Sequence, residues 1–84
     1  RIGTDVSIGA GVRLTGSTII EDDVTVQAYS TIHDSYIKTG TIVRFASLID
    51  ACHVGNACEI GPYAHLRMHA DLGEDVHLGN FVEV

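Results

Sequence analysis

Aliphatic residues recur along this chain at every sixth position. Ile2, Ile8, Leu14, Ile20, Val26 and Ile32 form one run, and Val54, Ile60, Leu66, Leu72, Leu78 and Val84 form another. Between the runs, Ile37, Val43 and Ile49 continue the count with steps of five, six, six and five residues. A period of six is a multiple of two and fits no turn of a 3.6-residue helix, so the pattern predicts short strands with bends between them. Glycine marks many of the bends. Gly3, Gly9, Gly55, Gly61, Gly73 and Gly79 each follow one of the aliphatic residues, where a tight corner benefits from a missing Cβ. Four positions after the large residue stand mostly small or β-branched side chains, such as Val12, Thr41, Cys58 and Ala64, which suit the space beside it.

Three hexads make a triangular coil of 18 residues, and stacking such coils at about 4.8 Å builds parallel sheets along three flat faces. The columns stay apolar when they are read upward. The first face gives Ile2, Ile20, Ile37, Val54 and Leu72; the second gives Ile8, Val26, Val43, Ile60 and Leu78; the third gives Leu14, Ile32, Ile49, Leu66 and Val84. Both five-residue steps enter the first face at successive coils, so one corner is trimmed twice and the register survives. Tyr36 is the misfit, a large residue where a small one is expected, beside the first trim. The expected fold is all-β, a parallel β-helix of four to five triangular coils, about 20 Å tall. Handedness does not follow from the count. The chain resembles hexapeptide-repeat proteins, which coil to the left, and that resemblance implies a left-handed β-helix.

Size and composition narrow the function classes. Eighty-four residues give one small domain with a thin conventional core, which stacking repeats or oligomerisation would compensate. Eleven acids against five bases, a formal charge of −6, repel phosphate backbones and leave no basic stripe, so nucleic acid is excluded as an expected partner. No apolar run approaches the roughly 18 residues of a membrane span, and no leader pattern is present, so no membrane partner is expected. Cys52 and Cys58 are too few for a disulfide scaffold and lack zinc-ribbon spacing, which points to a reducing, cytoplasmic setting. Val84 falls on a core position and the chain opens at Arg1, so residues 1–84 are expected to be a single β-helix segment of a longer protein.

Residues just before each core position face outward, and charges align there. His53 falls under Asp71, Glu59 under His77, and His65 under Glu83, which reads as a ladder of cross-strand pairs on a solvated surface. A zinc site of the γ-class carbonic anhydrase type is the competing reading, with His65, His69 and His77 as the nearby histidines. No two histidines share a column, however, and ligands need convergent geometry, so no metal residues are assigned. Cys58 occupies a small core slot. Cys52 is expected on an outer or corner position, and neither thiol has the electropositive surroundings of a nucleophile. Tyr29, Tyr63 and Phe81 are expected to project outward or at corners, as interface residues do, and a triangular section suits a three-fold assembly.

Arg67 is the only lysine or arginine after Arg44. It follows the core residue Leu66, so its guanidinium should point outward, with Asp50 one coil below in the same column. A coil-to-coil ion pair with Asp50, worth about 0 to 1 kcal/mol, is one reading.

The strings "IGPYAHLR" (60–67) and "VHLGNFVEV" (76–84) suggest another. They resemble the acetyltransferase half of the bacterial bifunctional enzyme family of UDP-N-acetylglucosamine synthesis, whose members acetylate glucosamine-1-phosphate and uridylylate the product. "IHDSYI" and "LTGSTIIEDDVTV" suit the early coils of that family's helix. The resemblance implies that Arg67 binds the phosphorylated sugar or UDP-sugar, a role that suits a planar guanidinium. The contact with Asp50 would then position it. The family motif continues with a lysine, which would stand one coil above Arg67. Where the family usually has proline, Met68 stands here.

By the same resemblance the parent is a homotrimer with two domains. It uses acetyl-CoA as co-substrate and Mg²⁺ in its uridylyltransferase domain, both bound outside these residues. No catalytic residue is assigned within the chain, and the isolated segment is expected to be inactive. Two other classes stay open: a γ-carbonic anhydrase-like zinc enzyme, and a noncatalytic oligomerisation or regulatory β-helix of a sugar nucleotidyltransferase.

Overall fold

The computed structural model describes residues 2–67, 69–79, 81 and 83. The expectations placed on Met68, Val82 and Val84 lie outside the described residues. Among the described residues the chain forms strands and turns only, and the strands follow the six-residue count. In chain order they are β1 (Ser7–Ile8), β2 (Arg13–Thr15), β3 (Ile19–Ile20), β4 (Thr25–Val26), β5 (Thr31–His33), β6 (Tyr36–Ile37) and β7 (Ile42–Val43). There follow β8 (Leu48–Asp50), β9 (His53–Val54), β10 (Glu59–Ile60), β11 (His65–Leu66), β12 (Asp71–Leu72) and β13 (His77–Leu78).

Every third strand pairs, always in parallel. The first face is β3-β6-β9-β12, the second β1-β4-β7-β10-β13, and the third β2-β5-β8-β11. Ile20 pairs with Ile37 and Ile37 with Val54; Val26 pairs with Val43 and Val43 with Ile60; Ile32 pairs with Ile49 and Ile49 with Leu66. Ile2 meets Ile20 through a single parallel bridge. The aliphatic columns are therefore the register of the sheets, and the architecture is a parallel β-helix consistent with the left-handed coil that the repeat implies.

Burial follows from the stacking. Ile20, Ile32, Ile37, Ile49, Ile60 and Leu66, each covered by coils on both sides, are essentially inaccessible, whereas Ile2 is 52% exposed. Between the large residues, small polar side chains line the inner corners without leaving a polar atom unpaired. The Thr41 hydroxyl donates to the Gly55 carbonyl (2.7 Å) and accepts from the Cys58 amide (3.2 Å), and the Cys58 thiol continues upward to the Gly73 carbonyl (3.0 Å). Ser30 and Ser47 repeat the device at the second–third corner, Ser35 and Cys52 at the third–first corner. Such relays satisfy the amides and carbonyls that the turns leave out of the ladders. Among the described residues no buried side-chain polar atom lacks a partner.

Two sequence expectations need correction at the trimmed corner. The small inner slot lies two residues before the next aliphatic, not four after the previous one, and the counts differ only where a step has five residues. Ser35, 2% exposed, fills the slot that the forward count gave to Tyr36. Tyr36 instead faces outward, with its hydroxyl on Glu21 and its ring 6.0 Å from that of His53. Cys52, expected on an outer position, is fully buried in the equivalent slot one coil higher. Across the trimmed turn the Asp34 carboxylate accepts the Ser17 amide at 2.6 Å.

Candidate functional site

β11 sets the position of Arg67. Leu66 is locked over Ile49 with no exposed surface, and alternation along the strand then sends the next side chain outward. The guanidinium is exposed and binds Glu83, through Nε to Oε2 at 3.0 Å and through a second bond from a terminal nitrogen. Glu83 is bridged to His65 one coil below it, and its carboxylate also lies 3.6 Å from His65 Nδ1. A single carboxylate thus touches the arginine and a histidine together.

The expected pairing of Arg67 with Asp50 is not what forms. Asp50 lies directly beneath, in the same open depression of about 480 Å³ that Asp50, His65, Arg67 and His69 line. Glu83 is one coil up and diagonal to Arg67, within reach of two long side chains. Sequence reasoning counted vertical neighbours only and so missed Glu83 as the partner.

A second omission lies beneath the surface. The Cys52 thiol donates to the carbonyl oxygens of Arg67 (2.7 Å) and Asp50 (2.9 Å), tying together the backbone on which both side chains stand. Burial pushes its thiol pKa up, so it remains protonated and serves as a donor. The turn above is closed by Ala70 N–H donating to the Arg67 carbonyl (3.2 Å) and by His69 N–H donating to Ala51 (2.9 Å). Arg67 therefore projects from a fixed corner.

The remaining histidine–acid expectations divide. Glu59 is in register with His77, whose Nε2 lies 4.0 Å from its carboxylate, but the firmer partner of Glu59 is Arg44 at 2.7 Å, unforeseen in the sequence reading. That bond, opposed by partial burial, holds the Glu59 carboxyl below its ordinary value. His53 is in register with Asp71, yet it leans on the Tyr36 ring. Glu21 is likewise held low, first by the hydrogen bond from Tyr36. Among the described residues no group of three histidine, cysteine or acidic side chains converges as a metal site would require.

The open depression brings Asp50, His65, Arg67 and His69 together on a β-helix whose inner register is fixed, with Arg67 bonded to Glu83. Residues 1–84 match throughout the family described as the GMPPB C-terminal domain. The chain belongs to that family. As a member of the GMPPB C-terminal domain family it is also similar to bifunctional proteins. It is 47% identical over 83 residues to Bifunctional protein GlmU of Enterococcus faecalis, covering 99% of this chain and 18% of that protein. Against Bifunctional protein GlmU of Herminiimonas arsenicoxydans it is 48% identical over 82 residues, covering 98% and 18%. The resemblance carried by "IGPYAHLR" and "VHLGNFVEV" thus extends along the chain, which spans 18% of the length of these relatives. Among solved structures, the acetyltransferase domain of PglB from Neisseria gonorrhoeae matches with a TM-score of 0.52 at 18% identity, over 95% of this chain and 46% of that one. At that identity the GMPPB C-terminal domain family member shares its fold.

Proposed function

We propose that this chain forms the early coils of an acetyltransferase domain that moves acetyl from acetyl-CoA to the amine of glucosamine-1-phosphate. The parent is a cytoplasmic homotrimer with a second, Mg²⁺-dependent domain that joins the acetylated sugar phosphate to UTP, giving UDP-N-acetylglucosamine. Arg67 is the ligand for the phosphate of the sugar or UDP-sugar. The observation that carries this reading is the outward guanidinium, fixed from below by Leu66 and Cys52, at the rim of the depression lined by His65 and His69. Similarity to bifunctional GlmU proteins along nearly the whole chain supports the reaction class. The chemistry asks for little more of these residues. A planar guanidinium binds a phosphate through paired charge-assisted bonds, and the base that takes the amine proton is supplied elsewhere in the protein.

The test is the complete gene product incubated with acetyl-CoA and glucosamine-1-phosphate, with free CoA as the readout. Release dependent on the sugar phosphate is expected. No release, with a folded protein, contradicts the proposal.

A second reading is a noncatalytic β-helix that oligomerises or regulates a sugar nucleotidyltransferase. The observation favouring it is that Glu83 already neutralises the Arg67 charge. The same assay separates the two, because this reading gives uridylyl transfer without acetyl transfer.

A further inference from the structure

A second open depression, of about 300 Å³, lies on the first face, around the third–first corner from Arg67. That volume is at the lower end of small-molecule sites. Its floor is the strip of Gly55 and Gly73, which continues the column of Lys38 upward. A Cβ at Gly55 would meet the Gly73 carbonyl oxygen at 2.4 Å, so packing between the coils excludes a side chain from that position. The polar groups of the floor are engaged within the β-helix. The Gly55 amide donates to the Leu72 carbonyl (2.9 Å), the Gly55 carbonyl accepts the Thr41 hydroxyl (2.7 Å), and the Gly73 carbonyl accepts the Cys58 thiol (3.0 Å). What the strip offers a ligand is Cα–H, apolar support for the flat side of a ring.

Polar side chains border the strip on three sides. His53 and Asp71 flank it where the strands enter, and Asn56 and Glu74 where they leave, about 10 Å further along the chain. Lys38 closes the lower end. Among the described residues Lys38 forms no ion pair, although the chain has eleven acids against five bases. Glu21, one coil beneath it, accepts instead the Tyr36 hydroxyl and the amide and hydroxyl of Thr39 (each 3.2 Å). Asp71 is unpaired in the same way. Of the three histidine–acid pairs in register, His65–Glu83 closes to 3.6 Å and His77–Glu59 to 4.0 Å, whereas His53 turns from Asp71 to the Tyr36 ring. Asn56 holds Glu74 at the rim through a bond of 3.1 Å.

The depression is therefore polarised. An ammonium stands at its lower end, and two carboxylates rise from the coil two above, roughly 10 Å higher by backbone spacing. A bare anion is repelled by those carboxylates and by the net charge of −6, and a bare cation by Lys38. A ligand that carries both charges on opposite sides of a small ring meets neither repulsion. Hydroxyls between the two charges find His53 and Asn56.

We propose that this trough binds an amino-sugar phosphate whose charged groups lie across the ring from each other, with the phosphate on Lys38 and the ammonium between Asp71 and Glu74. The ring rests on the Gly55–Gly73 strip. Lysine binds phosphate as a point charge, and the paired carboxylates select the free amine over its uncharged acetylated form. The site is separate from Arg67 and does not depend on the role given to that residue.

The experiment is equilibrium dialysis of the complete gene product with radiolabelled glucosamine-6-phosphate at neutral pH. Lys38→Met and Asp71→Asn should each weaken binding about tenfold to a hundredfold through loss of a charge-assisted bond, while Arg67→Ala leaves it unchanged. Both substituted side chains are exposed, so the variants keep the far-ultraviolet circular dichroism of the unaltered protein. No binding by the unaltered protein, or binding that Lys38→Met does not change, overturns the site. Binding that Arg67→Ala abolishes also overturns it, by placing the ligand in the depression already described.

A second measurement needs no variant. Glucose-6-phosphate and N-acetylglucosamine-6-phosphate keep the phosphate and lack the ammonium, so each should displace the probe at least about tenfold less well. Glucosamine-1-phosphate, whose two charged groups are neighbours on the ring, should do no better. Equal displacement by the uncharged analogues overturns the role of Asp71 and Glu74, and equal displacement by glucosamine-1-phosphate overturns the placement across the ring.

Discussion

Arg67 lies diagonal to Glu83 and gives it two hydrogen bonds, although Asp50 stands directly beneath in the same column. The pair is exposed on both sides, so the contact aims the guanidinium and adds at most about 1 kcal/mol to stability. Glu83→Gln in the complete protein should therefore leave the melting temperature nearly unchanged and raise KM for the sugar phosphate. A large fall in melting temperature, or an unchanged KM, contradicts the aiming role.

Ile49 is sealed between Ile32 below and Leu66 above. Truncation to alanine leaves a cavity that the two neighbouring coils cannot close, because each is tied by its own ladder bonds. Ile49→Ala should cost about 2–5 kcal/mol, read by denaturant unfolding. A loss under about 1 kcal/mol would mean that the column is not continuous.

Both thiols are buried, and burial raises the Cys52 pKa, so neither should react as a surface cysteine would. Labelling with a small alkylating reagent at neutral pH should be negligible in the native protein and complete in denaturant. Rapid native labelling of Cys52 contradicts its place beneath Arg67.

Glu59 titrates below its ordinary value, chiefly because Arg44 bonds its ionised form. A carboxyl whose folded pKa is depressed contributes stability above its unfolded pKa and loses it as pH falls through the folded value. Arg44→Met should lower the melting temperature at neutral pH, and its gap from the unaltered protein should close as the solution is acidified below the ordinary carboxylate range. A gap independent of pH contradicts the pairing.

The fold was legible because the inner residues obey a single count. Ile20, Ile37 and Val54 stack as their spacing of 17 residues required, and Leu66 falls over Ile49 for the same reason. The outward direction of Arg67 followed from Leu66 alone. What escaped was lateral. Ser35 and Cys52 turned inward and Tyr36 outward because a five-residue step removes a residue from the turn, and a forward count cannot tell from which side. Glu83 and Arg44 found partners along diagonals or on a neighbouring coil, where side-chain length decides the match and column arithmetic is silent. The aromatic rings of the second–third corner were legible in part: Tyr29, Tyr63 and Phe81 were expected outside, but Phe45, one position earlier in its turn, joins them only in three dimensions.

The central claim is that the guanidinium fixed above Leu66 receives a sugar phosphate, and steady-state kinetics of Arg67→Ala in the complete enzyme test it most directly. Loss of charge-assisted hydrogen bonds worth about 1.5–3 kcal/mol should raise KM for glucosamine-1-phosphate about tenfold to a hundredfold, with Arg67→Lys restoring part of the loss. Unchanged KM and kcat in a variant that melts like the unaltered protein would contradict the account.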